Sequence, residues 1–149
     1  MFWVYGCLAF LGVLLTSQVS EKKEIRRFFP SIEAANLSLW HEAAVLYARA
    51  HPGVQGFVTA DSLRLPPGYR ALGNWKTVYE QGVVTTWAVS EEGGVSPDVL
   101  AHALADRAAH RGDAGIVTQG KIRTVKGSKI SVTSRVPEGV AVFMTRVAP

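Results

Sequence analysis

Beyond Cys7 the chain has no cysteine, and before Glu21 it has no charged side chain. The first absence excludes an intramolecular disulfide from everything after the N-terminus and identifies no redox compartment. The second leaves residues 1–19 as an uninterrupted uncharged stretch. No second stretch of that kind follows, and neither a repeat nor a low-complexity tract occurs. No phosphate-binding loop, nucleophile elbow or zinc-ligand spacing is present, so no enzyme class is marked by a motif.

Phe2, Trp3, Val4, Tyr5, Leu8, Phe10, Leu11, Val13, Leu14 and Leu15 make the first segment apolar. Nineteen residues of helix rise about 28 Å, close to the hydrocarbon thickness of a bilayer. Trp3 and Tyr5 suit an interfacial position at one end. A cleaved signal peptide competes with this reading. It wants a basic start and small residues before the cut, whereas only the terminal amine precedes this run and residues 16–20 read Thr-Ser-Gln-Val-Ser. A retained transmembrane anchor, 1–20, is the expectation. Val4-Tyr5-Gly6-Cys7 is only faintly like a lipidation signal, and Cys7 reads as a small apolar residue. Lys22, Lys23, Arg26 and Arg27 form a basic collar directly after the anchor. By the positive-inside rule alone, that collar would stay in the cytoplasm.

The chain has 149 residues, 48% hydrophobic and 19% charged, with a net charge of +4. That is one domain beside an anchor, with enough apolar content to exclude wholesale disorder. The charge is uneven. Residues 121–149 carry six Lys/Arg against one Glu, while residues 28–120 carry six against nine Asp/Glu. A basic patch meets nucleic acid, anionic lipid or an acidic protein, or is simply a solvated strand face.

After a charged linker, 21–30, the domain 31–149 alternates helical and extended patterns. Ser31 reads as a helix cap after Pro30. Ile32, Ala35, Leu39, Ala43, Leu46 and Ala50 form one apolar stripe, widened by Trp40 and Tyr47, and His51-Pro52-Gly53 ends the helix. A turn-rich stretch follows, with a short extended piece at 57–60 and Leu65-Pro66-Pro67-Gly68-Tyr69 as a rigid turn. Lys76–Glu80 and Val83–Ser90 predict a hairpin around Gln81-Gly82. Ser96-Pro97-Asp98 predicts a helix start, with the helix running to about Arg111 and Val99, Leu100, Ala103, Leu104 and Ala108 as its apolar side. Segments 115–118, 121–125, 129–133 and 140–147 predict strands, punctuated by Gly120, Lys126-Gly127-Ser128 and Pro137-Glu138-Gly139. The expected fold class is α+β: an N-terminal transmembrane helix, then a small domain with two helices packed on a mainly antiparallel sheet.

Three side chains suggest chemistry. His102, Asp106 and His110 are spaced four apart on one helix face and are the candidate metal ligands. A polar solvent face explains them as well, since metal sites draw ligands from more than one element, so no metal and no cofactor are expected. His41 and Glu42 are adjacent on a helix and do not face each other. Lys121, Arg123, Lys126 and Lys129 cluster around one hairpin. They lack the interleaved aromatics of a single-strand nucleic-acid platform, so an acidic protein or a lipid surface suits them better. Tyr69 and Trp75 flank the Pro-Gly turn, as either an exposed partner-binding feature or a packed turn.

Taken in order, several of these pieces are similar to one family over nearly the whole length. They are the apolar N-terminus, Ala50-His51-Pro52-Gly53, Gly56-Phe57-Val58, Leu65-Pro66-Pro67-Gly68-Tyr69, Trp75, 84–89 around Trp87, Gly115-Ile116-Val117, the Lys126-Gly127 turn and Val136-Pro137-Glu138-Gly139-Val140-Ala141-Val142. The chain resembles PilM of the thin type IV pilus operons of conjugative plasmids, which is distinct from the actin-like cytoplasmic protein sharing that name. The resemblance implies a non-catalytic pilus-biogenesis component. It implies an anchor in the bacterial inner membrane, a periplasmic domain, and other envelope assembly proteins as partners, with no nucleic acid and no small-molecule substrate. The basic collar runs against that topology. Type IV prepilins themselves carry a Glu five residues into the mature apolar run. Here that position is Leu11, so a polymerising subunit is not expected. An envelope metal-dependent enzyme, a DNA-binding accessory protein and a minor pilin-like or secretion-system subunit are the competing readings.

Overall fold

A computed structural model describes residues 29–92, 94–108 and 111–147. The chain is already helical at residue 29, and helix α1 covers 29–50. Pro30 therefore lies inside the first described turn rather than in a linker, and Ser31 is helical rather than the cap. The expected transmembrane helix, 1–20, and most of the expected linker lie outside the described residues. Among the described residues, no helix is long and apolar enough to cross a membrane.

Strands β1 (Gly56–Val58), β2 (Trp75–Glu80), β3 (Val83–Ala88), β4 (Asp113–Thr118), β5 (Lys121–Thr124), β6 (Lys129–Ser131) and β7 (Ala141–Arg146) form one sheet, and helix α2 spans Pro97–Ala108. The order is β1-β2-β3-β7-β4-β5-β6. Every neighbouring pair is antiparallel. The expected α+β class, with two helices on an antiparallel sheet, is what forms. Two hairpins use the same dipeptide: Gln81-Gly82 and Gln119-Gly120 all have positive φ, the twist-matched geometry of a two-residue hairpin. Ser96 opens α2 through its carbonyl, which accepts from the Leu100 N–H at 3.0 Å.

Both helices lie on one face of the sheet. α2 contributes Leu100, Ala101, Leu104 and Ala108 to a core shared with Ala114, Ala141 and Phe143. Val99, expected on the apolar side, faces solvent. α1 buries Ala34, Leu37, Trp40, His41, Ala44, Val45 and Ala48. This corrects the stripe read from the sequence: Ile32, Leu39 and Leu46 lie outside, and Ala43 is the buried member of that set. The face that won is rich in alanine, which lets the helix axis approach the sheet closely and pack against Tyr79, Val84 and Val58.

Among the described residues, no helix covers the second face. Val78, Trp87, Val117, Ile122, Val142 and Met144 form its core, and the β6–β7 connection lies over them with Val136 and Val140. Arg135 fastens that connection. Its Nε is 2.9 Å from Glu80 Oε1, and its guanidinium sits 5.7 Å from the centre of the Phe57 ring. Phe57 in turn meets Trp87 edge-on at 6.3 Å.

Candidate functional site

The basic hairpin is the feature that local packing does not account for. Antiparallel register sets Arg123 directly opposite Lys129, and Lys121 opposite Ser131. Alternation along β5 puts Lys121 and Arg123 on the same face as Lys129, while Ile122 and Thr124 turn into the core. Lys126 projects from the connecting turn, and all four cations are exposed. Like charges directly opposite on a sheet repel. Among the described residues, the two ion pairs join Arg111 to Glu42 and Arg135 to Glu80, so neither relieves this cluster. β6 is a sheet edge only three residues long. Lysine on a short edge strand also discourages unwanted strand pairing.

The Tyr69–Trp75 region is a packed turn. Trp75 is buried in the core between the helices, and Tyr69 is partly buried 6.4 Å from the Trp40 ring. Asn36 on α1 holds the segment. Its Oδ1 accepts from Tyr69 Oη (3.0 Å), the Leu72 N–H (3.0 Å) and Trp75 Nε1 (2.9 Å), and its Nδ2 donates to the Arg70 carbonyl (2.9 Å). Burial raises the Tyr69 phenol above its ordinary pKa, and the hydrogen bond from Trp75 opposes that rise. Asn36 escaped sequence reasoning because its partners lie more than thirty residues away.

Of the candidate metal ligands, the structure describes His102 and Asp106. His102 is exposed on α2, with Nδ1 2.8 Å from the Asp98 carbonyl one turn earlier. Asp106 is exposed, and His110 lies outside the described residues. Among the described residues, no group of three His, Cys, Asp or Glu side chains is placed to hold a metal.

The buried histidine is His41, fully enclosed between α1 and the sheet and stacked on Phe143 at 4.2 Å. Its hydrogen bonds fix its tautomer. The Thr145 hydroxyl donates to the Arg111 carbonyl (2.9 Å), so it accepts from His41 Nε2 (2.8 Å). Nδ1 must then accept, and the Thr86 hydroxyl donates to it (2.8 Å). With that proton used, Thr77 donates to Thr86 (2.9 Å) and itself accepts from Trp40 Nε1 (2.9 Å). Five hydrogen bonds thus run in one direction from Trp40 to the Arg111 carbonyl. Burial lowers the His41 pKa to about 3, so the ring is neutral at physiological pH. A neutral imidazole with both nitrogens engaged is a structural pin, with no nitrogen left for a substrate.

Three concavities lie among the described residues. The first, of about 620 Å³, lies between the start of α2 and the β4–β5 hairpin, with Asp98, His102 and Arg123 in its wall. Two more remain. One, of about 1040 Å³, opens on the second sheet face between Val78, Val83, Thr85, Val132, Met144 and Arg146. The other, of about 270 Å³, lies beside the start of α2, near Glu33 and Glu91. Burial and then the nearby Glu91 raise the Glu33 pKa. Among the described residues, no hydrogen bond joins a hydroxyl to a carboxylate or imidazole in either of these two.

A family model described as PilM matches residues 7–144. The crystal structure of a PilM protein from Escherichia coli B7A superposes with a TM-score of 0.54 at 23% identity, covering 78% of this chain and 90% of that one. A PilM protein from Pseudomonas aeruginosa 2192 aligns with a TM-score of 0.42 at 23% identity, over 79% of this chain and 97% of that one. The E. coli likeness shows a shared fold. A search of curated proteins finds no match.

Proposed function

The chain belongs to the PilM family, and we propose that it takes part in type IV pilus biogenesis as a non-catalytic binding module whose basic hairpin docks an acidic envelope protein. The observation that carries this reading is the cross-strand pair Arg123 and Lys129, reinforced by Lys121 and Lys126. Four exposed cations on one hairpin repel one another in the free domain. An anionic partner relieves that repulsion and gains steering from it. Residues 1–19, uncharged and apolar, tether the domain to the inner membrane in this reading. The domain then faces the periplasm, where pilus components assemble.

The test replaces Lys121, Arg123, Lys126 and Lys129 together with Gln in cells that make the pilus. Pili should be lost while the purified variant keeps its thermal unfolding midpoint, because all four side chains are solvated. Normal piliation by a folded variant refutes the docking role. A C-terminal alkaline phosphatase fusion checks the topology separately: activity is expected for a periplasmic domain, and a silent fusion refutes that location.

A further inference from the structure

β6 ends the sheet on one side. Among the described residues its one neighbouring strand is β5, so one row of its backbone groups has no ladder. Two bonds show which row that is. The Thr124 N–H donates to the Ser128 carbonyl (2.9 Å), and the Val132 N–H donates to the Gly120 carbonyl (3.3 Å). Hydrogen-bonded pairs alternate along an antiparallel ladder, so the bonded pair between these two is Ile122 with Ile130. Lys129 and Ser131 therefore aim their N–H and C=O groups outward, away from β5.

The two faces of this edge differ. Lys129 stands opposite Arg123 and Ser131 opposite Lys121, and paired residues share a face. Ile116, opposite Arg123 on the other side, packs with the α2 core, so the cations lie on the helix-bearing face. On the second face, Ile130 and Val132 pack against the core of Val78 and Trp87. Val132 also borders the concavity of about 1040 Å³, beside Val78, Val83 and Met144. Lysine on an exposed edge ordinarily guards against stray pairing. That accounts for Lys129 alone, because Lys121 and Arg123 lie on β5, which already has a strand on each side. A second copy of β6 would bring its own cations to the same face, so this edge rejects itself.

We propose that β6 is a strand-accepting edge, and that its ligand is an extended segment of a partner protein, added antiparallel, with carboxylates at alternate positions. The inference rests on the docking role of the basic hairpin and specifies how the partner is held. Main-chain bonds to Lys129 and Ser131 supply affinity, and alternate side chains supply the choice of partner. Partner residues opposite Lys129 and Ser131 point to the cationic face. Strands lie about 4.8 Å apart, so an Asp or Glu there is within reach of the long side chains of Lys121, Arg123 and Lys129. The residue between them, opposite Ile130, points to the second face, where an apolar side chain meets Ile130 and Val132. The segment recognised thus reads acid, apolar, acid.

The full chain, purified in a mild detergent at low salt, is titrated against fluorescein-labelled Glu-Val-Glu-Val-Glu and its rearrangement Val-Glu-Glu-Glu-Val. The alternating peptide should bind about tenfold tighter, the equivalent of one or two net hydrogen bonds. N-methylation of its Glu residues, whose N–H groups face β6, should remove that advantage, and N-methylation of its Val residues should not. Ser131→Pro deletes an outward N–H and keeps every cation, a change that edge strands tolerate. It should weaken the alternating peptide about tenfold with the unfolding midpoint unchanged. If that variant unfolds, the methylated peptides apply the same test to the natural chain. Bound peptide should slow amide exchange at Lys129 and Ser131 and leave Ile130 as it was. Equal affinity for the two peptides, no binding of either, equal effects of methylation at Glu and Val, or unslowed exchange each overturns strand addition. None of these outcomes removes the docking role, which falls only if the four-Gln variant makes normal pili.

Discussion

Acidification is the perturbation that best isolates the His41 pin. An unfolded histidine takes up a proton near pH 6.5, whereas burial holds the folded ring neutral until about pH 3. The folded state therefore binds fewer protons throughout that window. The stability associated with the neutral ring is complete above pH 6.5 and is lost progressively as the pH falls towards 3. Each unit of displacement is worth about 1.4 kcal/mol, so the full window amounts to roughly 5 kcal/mol and the loss by pH 5 to about 2 kcal/mol. Carboxylates also titrate at the low end, so the measurement is a difference. Urea unfolding at pH 7.5 and pH 5 is compared between the natural chain and His41→Gln, which keeps polar atoms near Thr86 and Thr145 but cannot titrate. The natural chain should lose about 2 kcal/mol more than the variant over that interval. Nitrogen NMR should show Nδ1 unprotonated and Nε2 protonated at pH 5. Equal pH dependence in the two proteins, or a protonated Nδ1 in the folded state, refutes the directed hydrogen-bond chain.

Other sites give sharp expectations. Asn36→Ala removes the acceptor shared by Tyr69, Leu72 and Trp75. It should cost about 1–3 kcal/mol in urea unfolding and speed proteolysis of the 66–73 segment, since the Leu72 N–H loses its acceptor and the buried Trp75 indole keeps only the Tyr69 hydroxyl, 3.1 Å away. Gly115→Ala drives a methyl into the Arg123 carbonyl across the β4–β5 ladder. It should lower stability more than Gly120→Ala, which has open space and loses only the roughly 1–2 kcal/mol of left-handed strain. Glu138→Ala frees the N–H groups of Gln119 and Gly120, now bonded to its carboxylate at 2.8 and 2.7 Å. It should accelerate amide exchange at those two residues before any change in global stability.

Local chemistry made the strand and turn plan legible. Gln81-Gly82 between Val- and Thr-rich arms fixes a hairpin, and Ser96-Pro97 fixes a helix start, because each acts within a few residues. The cationic cluster was legible, but the register that sets Arg123 opposite Lys129 was not, since it depends on how the turn at 124–128 closes. The orientation of α1 escaped for a different reason. The larger aliphatic residues, Ile32, Leu39 and Leu46, mark one face, yet the face that packs carries Ala34, Ala44 and Ala48 beside Leu37 and Trp40. Counting apolar positions weighs size and ignores clearance, and the sheet surface rewards clearance. Trp75 looked available to a partner only because Asn36, distant in sequence, was invisible as its acceptor.

The strand order carries a consequence for biosynthesis. β7, the last of the seven described strands in chain order, lies between β3 and β4 in the middle of the sheet. Until residues 141–146 arrive, a meander of three strands and another of three strands share no ladder, and each presents a bare inner margin. Folding of this domain is thus a terminal event: a nascent chain stays pliable until its final stretch inserts, and a prematurely stopped one is left with two sticky margins for quality-control proteases to find.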